Sequence, residues 1–454
     1  MNSLVRFITE NGGYEYNIIY PLNMFKGNFC SGNTTCAWYN NEFLINTRIT
    51  DYVKLFQSRE IKTLQNFNIA QTYFFTEDGF TSRNLLSKFC NGNVCGTKEV
   101  NYDINHYLKS YYKGLEDCRL VVWNNKLYTY GTRWDVIDGK GCMCLYELND
   151  NMKPINEIVM PPQSANTNCE KNWAAVEDRP FTFVYNHNPL MVVYVDKDNV
   201  CQLIKENQKD NNINFVIKGS TQIVRYDENM YMSLIHANNN YDDKDISHSD
   251  YLTAFVFYDN NLNIIKISDL FVFKTPMCEF TCGLAIHDDN IYITYSQLDC
   301  SSHLLVTDKN TIEKFLNTKS DNLYSFSEFY NLAKLYENER QFNTSSALYN
   351  YAAIKGKDEN VDDNTELECI IKTYCGIVSR AHKFQKKTYN LDIINTLMSY
   401  TELYPEYCEF YYLISVLYRL MGILTESNKY KHMGDEQKTN IHSYFFKYFN
   451  PNYL

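Results

Sequence analysis

Five stretches of this chain carry polar residues where plain strands would not need them. They are "NTT" at Asn33 with "NTR" ending at Arg48, "EDCR" from Glu116 to Arg119, "GTRWD" ending at Asp135, and "CEKNW" from Cys169 to Trp173. The fifth is a late group: "GST" followed by His236, "CEF" at Glu279 and "YSQLD" ending at Asp299. The chemistry such residues can do is proton transfer and the binding of hydroxyl groups. Asp117 and Arg119 stand two apart, so on an extended strand they share a face while Glu116 points the other way. An Asp beside an Arg stays ionised and orients rather than donates. Asp135 has only Arg133 as a neighbouring cation and is the candidate general acid, a role that needs a raised pKa. Each acid also has a plain structural reading, capping a turn or pairing with an Arg to hold strands together.

The elements that position these groups are short. From about residue 15 to 308, apolar runs alternate with Asn, Asp and Gly turns. "RLVVWNNKLYTYG", "TQIVRYDENMYMSLIHA", "TAFVFYDNNLNIIKIS" and "GLAIHDDNIYITYS" each pair two β-rich runs across residues that tolerate left-handed backbone geometry. Many hairpins without crossover helices predict an antiparallel, mainly β fold, and about 290 residues suit a five-bladed β-propeller over residues 1–309. Equivalent strand ends then converge on one axis, and the five polar stretches would face one funnel.

After residue 310 the texture changes. "SFSEFYNLAKLYENERQFNTSSALYNYAAIKGK" has helical spacing. Phe329, Leu332, Ala333, Tyr336, Phe342, Ser345, Tyr349 and Ala352 fit one tetratricopeptide-like repeat. Further apolar stripes follow, with Pro405 breaking between two of them. Residues 310–454 are expected to be an all-α, tetratricopeptide-like domain whose repeats can bind a protein partner.

Composition narrows the function. The 454 residues carry a formal net charge of −11 and no basic stripe, which argues against nucleic acid as a partner. No run of about 20 apolar residues and no basic-then-apolar leader is present, so neither a membrane span nor a signal peptide is expected. Fifteen Cys in such a chain predict free thiols and a cytoplasmic location. Cys142/Cys144 and Cys278/Cys282 are too irregular for zinc, and neither metal nor cofactor is expected. Abundant Asn, Lys, Ile and Tyr suggest an AT-rich genome, such as that of a large DNA virus.

The stretch "EDCRL…NNKLYTYGTRWD" resembles the corresponding segment of the β-mannoside phosphorylase and β-mannosidase family of glycoside hydrolases, which are five-bladed β-propellers. "FCSGNTTCAWYNNEFLINTR", "GSTQIVRYDENMYMSLIHA" and "CEF…IYITYSQLDC" resemble three further family segments in the same order. Relatives with "EKNW" accompany glycosyltransferases. The resemblance implies a carbohydrate partner, a glycoside of mannose type, with phosphate or a nucleotide sugar as co-substrate. It implies that Asp135 is the acid and that Asn33, Arg48, Asp117, Arg119 and Asp299 contact the sugar.

Lys171 and His236, with Asn172 beside them, match positions that gather phosphate in the phosphorylases. The family's phosphate Arg is absent: Asn186 and His187 stand there instead, which weakens the expectation of phosphorolysis. Hydrolysis with inversion needs a second carboxylate as base, about 6.5–9.5 Å from the acid. Glu170 and Glu279 are the candidates by motif position. Trp134 and Trp173, each beside a motif acid, can stack on a sugar or fill a core. The alternative function is a non-catalytic glycan-binding or scaffold protein.

Overall fold

The computed structural model describes residues 3–21, 30–50, 53–54, 73–74, 80–102, 112–137, 140–160, 169–210, 216–238, 251–274, 279–297, 299, 301–318, 326–338, 345–346, 348–350, 352–353, 356, 359–383, 390–437, 442 and 445–449. The chain divides into two compact units. The first comprises residues 1–52, 77–244 and 248–321, and the second 53–76, 245–247 and 322–454.

The first unit is built from five sheets, antiparallel apart from the short strand Tyr112–Lys113, which pairs in parallel with Phe80 and Thr81. Blade 1 contains Cys30–Tyr39, Glu42–Thr50, Phe80–Cys90 and Asn93–Val100; blade 2 contains Glu116–Trp123, Lys126–Ile137, Lys140–Leu148 and Pro154–Met160. Blade 3 contains Ala174–Ala175, Thr182–His187, Leu190–Val195 and Cys201–Glu206. In blade 4, Val216–Gly219 and Val224–Arg225 both pair with Met230–Asn238, followed by Tyr251–Asp259 and Ile264–Ile267. Blade 5 contains Glu279–His287, Asn290–Gln297 and Ser301–Asp308, and its fourth strand is Tyr14–Asn17 from the start of the chain. That pairing ties the two ends of the circle, as a five-bladed β-propeller requires.

The turn chemistry read from the sequence is present. Asn40–Asn41 and Asn124–Asn125 all have positive φ, the geometry a two-residue hairpin turn demands. Strand alternation feeds both faces of each blade into a core. In Lys140–Leu148, Met143 and Leu145 pack toward blade 3, whereas Cys144 and Tyr146 pack toward blade 1. Five apolar clusters result, one in each seam between neighbouring blades.

The helices Leu4–Glu10 and Lys309–Leu316 close the seam between blades 4 and 5, burying Leu4, Ile8, Ile312 and Phe315. Residues 310–316 therefore lie in the first unit. Cysteine chemistry departs from expectation at one place, where Cys90 and Cys95, in one hairpin of blade 1, are disulfide-bonded. Cys36, Cys118, Cys142, Cys144, Cys169, Cys282, Cys369 and Cys375 are free thiols.

Helices of the second unit are Phe326–Asn338, Asp363–Lys383, Asn390–Leu403, Cys408–Leu420, Leu424–Glu436 and Phe445–Tyr448. Phe329, Ala333, Ser345, Tyr349 and Ala352 are buried, and Leu332 is half-buried. Phe342 and the side chain of Tyr336 lie outside the described residues, as does Cys278. Among the described residues no helix is long and apolar enough to cross a membrane.

Candidate functional site

The first strands of the blades start, and the second strands end, at one face of the propeller. Asn33, Glu116, Asp117 and Glu279 are on first strands near their starts. Arg48, Asp135, His187, His236 and Gln297 are on second strands near their ends. The topology therefore brings the five polar stretches to a single end.

Three innermost segments are deformed there. Asn33, Asp117 and Asn172 have φ of +40°, +48° and +66°. Asn33 and Asp117 are bulges, each an extra residue against its partner strand. Gly131 faces the second bulge, and a Cβ on it would lie 2.5 Å from the Glu116 carbonyl oxygen. Asn and Asp bear this conformation better than other side chains, and such strain concentrates where side chains must be aimed.

The Asp117 kink overturns the alternation expected for "EDCR". Asp117 does not pair with Arg119 through its carboxylate. Arg48 Nη1 donates to Asp117 Oδ1 at 2.8 Å, and Arg48 Nη2 donates to Glu116 Oε1 at 3.2 Å. Glu116 and Asp117 thus reach the same guanidinium, because the positive φ turns both toward it. Burial pushes the Asp117 carboxyl up, but Arg48, Lys171, Arg119 and the hydrogen bond from Asn33 outweigh it, and its pKa lies below the ordinary value.

Arg119 is wholly engaged instead. It donates from Nη1 to the Asp117 carbonyl oxygen at 2.8 Å, from Nη2 to Asn172 Oδ1 at 3.0 Å, and from Nε to the Ser220 carbonyl oxygen at 2.6 Å. Asn33 Nδ2 donates to Asp117 Oδ1 at 2.8 Å, and Ser296 Oγ donates to Asn33 Oδ1 at 2.5 Å. Ser220 Oγ and His236 Nδ1 are 2.7 Å apart. Side chains or backbone of all five blades are linked through this buried network.

The three candidate catalytic carboxylates are each held. Arg133 grips Asp135 through two bonds, Nε to Oδ1 at 2.9 Å and Nη2 to Oδ2 at 2.7 Å. Arg133 is fully buried, and its pKa is raised: burial opposes its charge, and the bond to Asp135 overcomes that. Glu170 accepts from Trp173 Nε1 at 3.1 Å and from Tyr185 OH at 3.2 Å. Glu279 accepts from the backbone of Phe273 and Lys274 and from Gln297 Nε2, so it pins a loop.

Strand phase in "CEKNW" is now plain. Glu170 is buried, whereas Lys171 reaches solvent along its stem; crowding of its ammonium opposes the charge, but Glu116 and Asp117 outweigh that and raise its pKa. Lys218, directly across the strand pair from His236, has its pKa lowered by burial and then by Lys171. Among the described residues neither ammonium is paired directly with a carboxylate. Burial, with Lys218, Arg119 and Lys171 nearby, keeps His236 neutral. His187, beside Asn186, is buried with neither ring nitrogen bonded, and burial alone lowers its pKa to about 4.

Asp299 is half-exposed with φ +51°, and its carbonyl packs against Gly32 beside Asn33. Among the described residues its carboxylate has no hydrogen-bond partner. The two tryptophans separate. Trp173 is 1% exposed and packs on Phe183 and Tyr185, while Trp134 is half-buried against Tyr112. Sequence reasoning missed Glu116, Lys218, Ser220, Ser296 and Tyr112. The signal for Glu116 was Gly131, since a glycine inside a strand pattern marks a bulge or close approach.

The fold and the polar end together define a five-bladed β-propeller with a charged axial site. In sequence the chain matches no protein-family model and no curated protein. Among solved structures it is similar to a β-1,2-mannobiose phosphorylase from Listeria innocua bound to β-1,2-mannobiose, at 12% identity and a TM-score of 0.46, covering 67% of this chain and 99% of that one. A glycosyl hydrolase from Bacteroides ovatus is similar at 12% identity and a TM-score of 0.42, covering 68% and 93%. A mannose phosphorylase from Leishmania mexicana in complex with phosphate is similar at 13% identity and a TM-score of 0.38, covering 70% and 95%.

Proposed function

We propose that the polar end of the propeller binds a carbohydrate, a glycoside of mannose type, and acts on it with inversion by hydrolysis, phosphorolysis or glycosyl transfer. The observation that carries this reading is the five-blade network. It fixes Asn33, Arg48, Asp117, Arg119 and Asn172 as a rigid wall while Asp299, Lys171 and Lys218 keep charge available beside it. A carboxylate such as Asp299 can take two neighbouring sugar hydroxyls, and the lysines with His236 suit a phosphate or the phosphates of a nucleotide sugar.

In this reading Asp135 is the general acid. To donate, it must release one oxygen from Arg133 and take up a proton, because a carboxylate held by two guanidinium bonds is ionised; catalytic hydrogen bonds often rearrange in the Michaelis complex. Glu170 or Glu279 is the base if water is the nucleophile.

One observation favours a second reading. Asp135, Glu170 and Glu279 all have their carboxylate oxygens engaged by protein donors. That arrangement suits a propeller that binds glycan without turning it over, with the helical unit holding a protein partner.

The test is a turnover and thermal-shift screen of the whole chain. It uses mannose, β-mannosides, mannose-1-phosphate and GDP-mannose, each with and without phosphate. Turnover lost in Asp135→Asn with sugar binding retained supports the acid role. Stabilisation by sugar without turnover supports the binding reading, and silence with every sugar removes both.

A further inference from the structure

Two buried carboxylates of the helical unit hold the same short segment, residues 442–449. Glu409, 0% exposed in the first turn of Cys408–Leu420, accepts from the His442 backbone N–H at 2.9 Å, and His442 Nδ1 lies 2.9 Å from the same oxygen. Among the described residues its other donor is the Cys408 thiol, at 3.7 Å. Glu337, 3% exposed on Phe326–Asn338, accepts from Tyr448 OH at 2.9 Å and from Lys447 Nζ at 3.2 Å. Ser379 Oγ, on Asp363–Lys383, donates to the Tyr448 carbonyl oxygen at 3.4 Å.

These contacts belong to one groove. Cys375, buried on Asp363–Lys383, has its thiol pushed up by burial first and then by the charges of both Glu409 and Glu337. Phe445, Tyr448 and Phe449 are buried, and the rings of Phe445 and Tyr412 are 6.2 Å apart. The outer side of the segment is open to solvent, where Phe446, His442 and Lys447 are exposed. Apolar contacts alone can dock a short helix, whereas burying a carboxylate costs free energy unless a donor or cation meets it. Two such carboxylates under one segment therefore specify its chemistry: an imidazole or ammonium for each, and aromatic rings between.

We propose that this groove is a docking site for a segment of a partner protein that combines aromatic rings with Lys or His, and that residues 442–449 occupy the seat when no partner is present. The inference deepens the partner-binding role of the helical unit and does not depend on what the propeller binds. An acidic segment would bring like charges to Glu337 and Glu409 and is excluded. Because the chain's own segment competes, a partner's apparent affinity is lowered by the fraction of molecules in which the seat is taken.

Fluorescence anisotropy of a labelled synthetic peptide of residues 441–450 tests this on the full chain. The unaltered protein is compared with a Lys447→Ala, Tyr448→Phe double variant, whose own segment has lost both bonds to Glu337. The double variant should bind the peptide about tenfold tighter than the unaltered protein, and adding Glu409→Gln should reverse most of that gain. The same peptide carrying His442→Glu and Lys447→Glu should not compete. No binding by the double variant, or equal binding of the acidic peptide, overturns the docking site and leaves the sugar screen untouched. Loss of helical circular dichroism in the double variant would make the segment part of the fold. Concentration-dependent dimers of that variant would give the seat to a second copy. Either result also overturns the partner reading.

Discussion

Arg48 and Asp117 stand 69 positions apart in sequence, and their side chains meet at 2.8 Å in the middle of the polar end. The bond joins the second strand of blade 1 to the bulged first strand of blade 2. It explains why Asp117, rather than its sequence neighbour Arg119, sets the direction of the site.

Asp117→Asn should therefore destabilise the propeller by about 3 kcal/mol, because Arg48 is buried and loses its nearest counter-charge. Since the folded carboxyl lies below its ordinary value, this stabilisation is present above the unfolded value near pH 4 and is lost as pH falls through the folded one. Denaturation midpoints of the two proteins should differ at pH 7, and the gap should narrow as pH falls below the unfolded carboxyl's range. A constant gap down to pH 2 would refute the ion-pair account.

Gly131→Ala tests the bulge. The added methyl would meet the Glu116 carbonyl oxygen at 2.5 Å and the Cys118 Cα at 3.2 Å, both backbone atoms with no room to yield. A loss of about 2–3 kcal/mol is expected, with weakened sugar binding, as Glu116 and Asp117 are displaced. An unchanged melting temperature would show that the bulge is not what the glycine serves.

His187 makes the fold acid-sensitive. Its folded pKa of about 4 lies below the unfolded value near 6.5, so the unfolded chain takes up a proton first. Stability contributed by the neutral ring is complete above pH 6.5 and falls by about 3 kcal/mol as pH drops toward 4. His187→Leu should flatten the pH dependence of stability over that window. A slope identical to that of the unaltered protein would mean that the ring protonates without unfolding.

In the helical unit, Glu337 is 3% exposed and accepts from Tyr448 at 2.9 Å, Lys447 at 3.2 Å and Tyr349 at 3.3 Å, with Lys372 at 3.6 Å. Glu337→Gln removes the charge that holds the helix Phe445–Tyr448. Amide exchange in that helix should accelerate by at least about tenfold, with exchange in the propeller unchanged. Equal protection in both proteins would assign the anchoring to Phe445 and Phe449 instead.

The sequence by itself determined the repeating units. Period-2 apolar runs separated by Asn–Asn turns such as Asn40–Asn41 and Asn124–Asn125 are local signals, because both hairpin geometry and strand alternation are set by residues a few positions apart. The helical spacing of Phe329, Ala333 and Tyr349 was legible for the same reason. The polar stretches were also found, since charged and amide residues stand out within β-rich runs.

Only the tertiary structure decided which partner each of them takes. Closure of the circle places Ser296 on Asn33 across 263 positions and Arg119 on the Ser220 carbonyl across 101. Neither separation leaves a trace in local pattern. At Asp117 a positive φ broke the alternation that made Arg119 look like its partner, and at Asp135 the buried Arg133, two residues away, claimed both oxygens. Local spacing fixes which side of a strand a residue is on, but a charge buried at a five-blade junction binds whatever the neighbouring blades present.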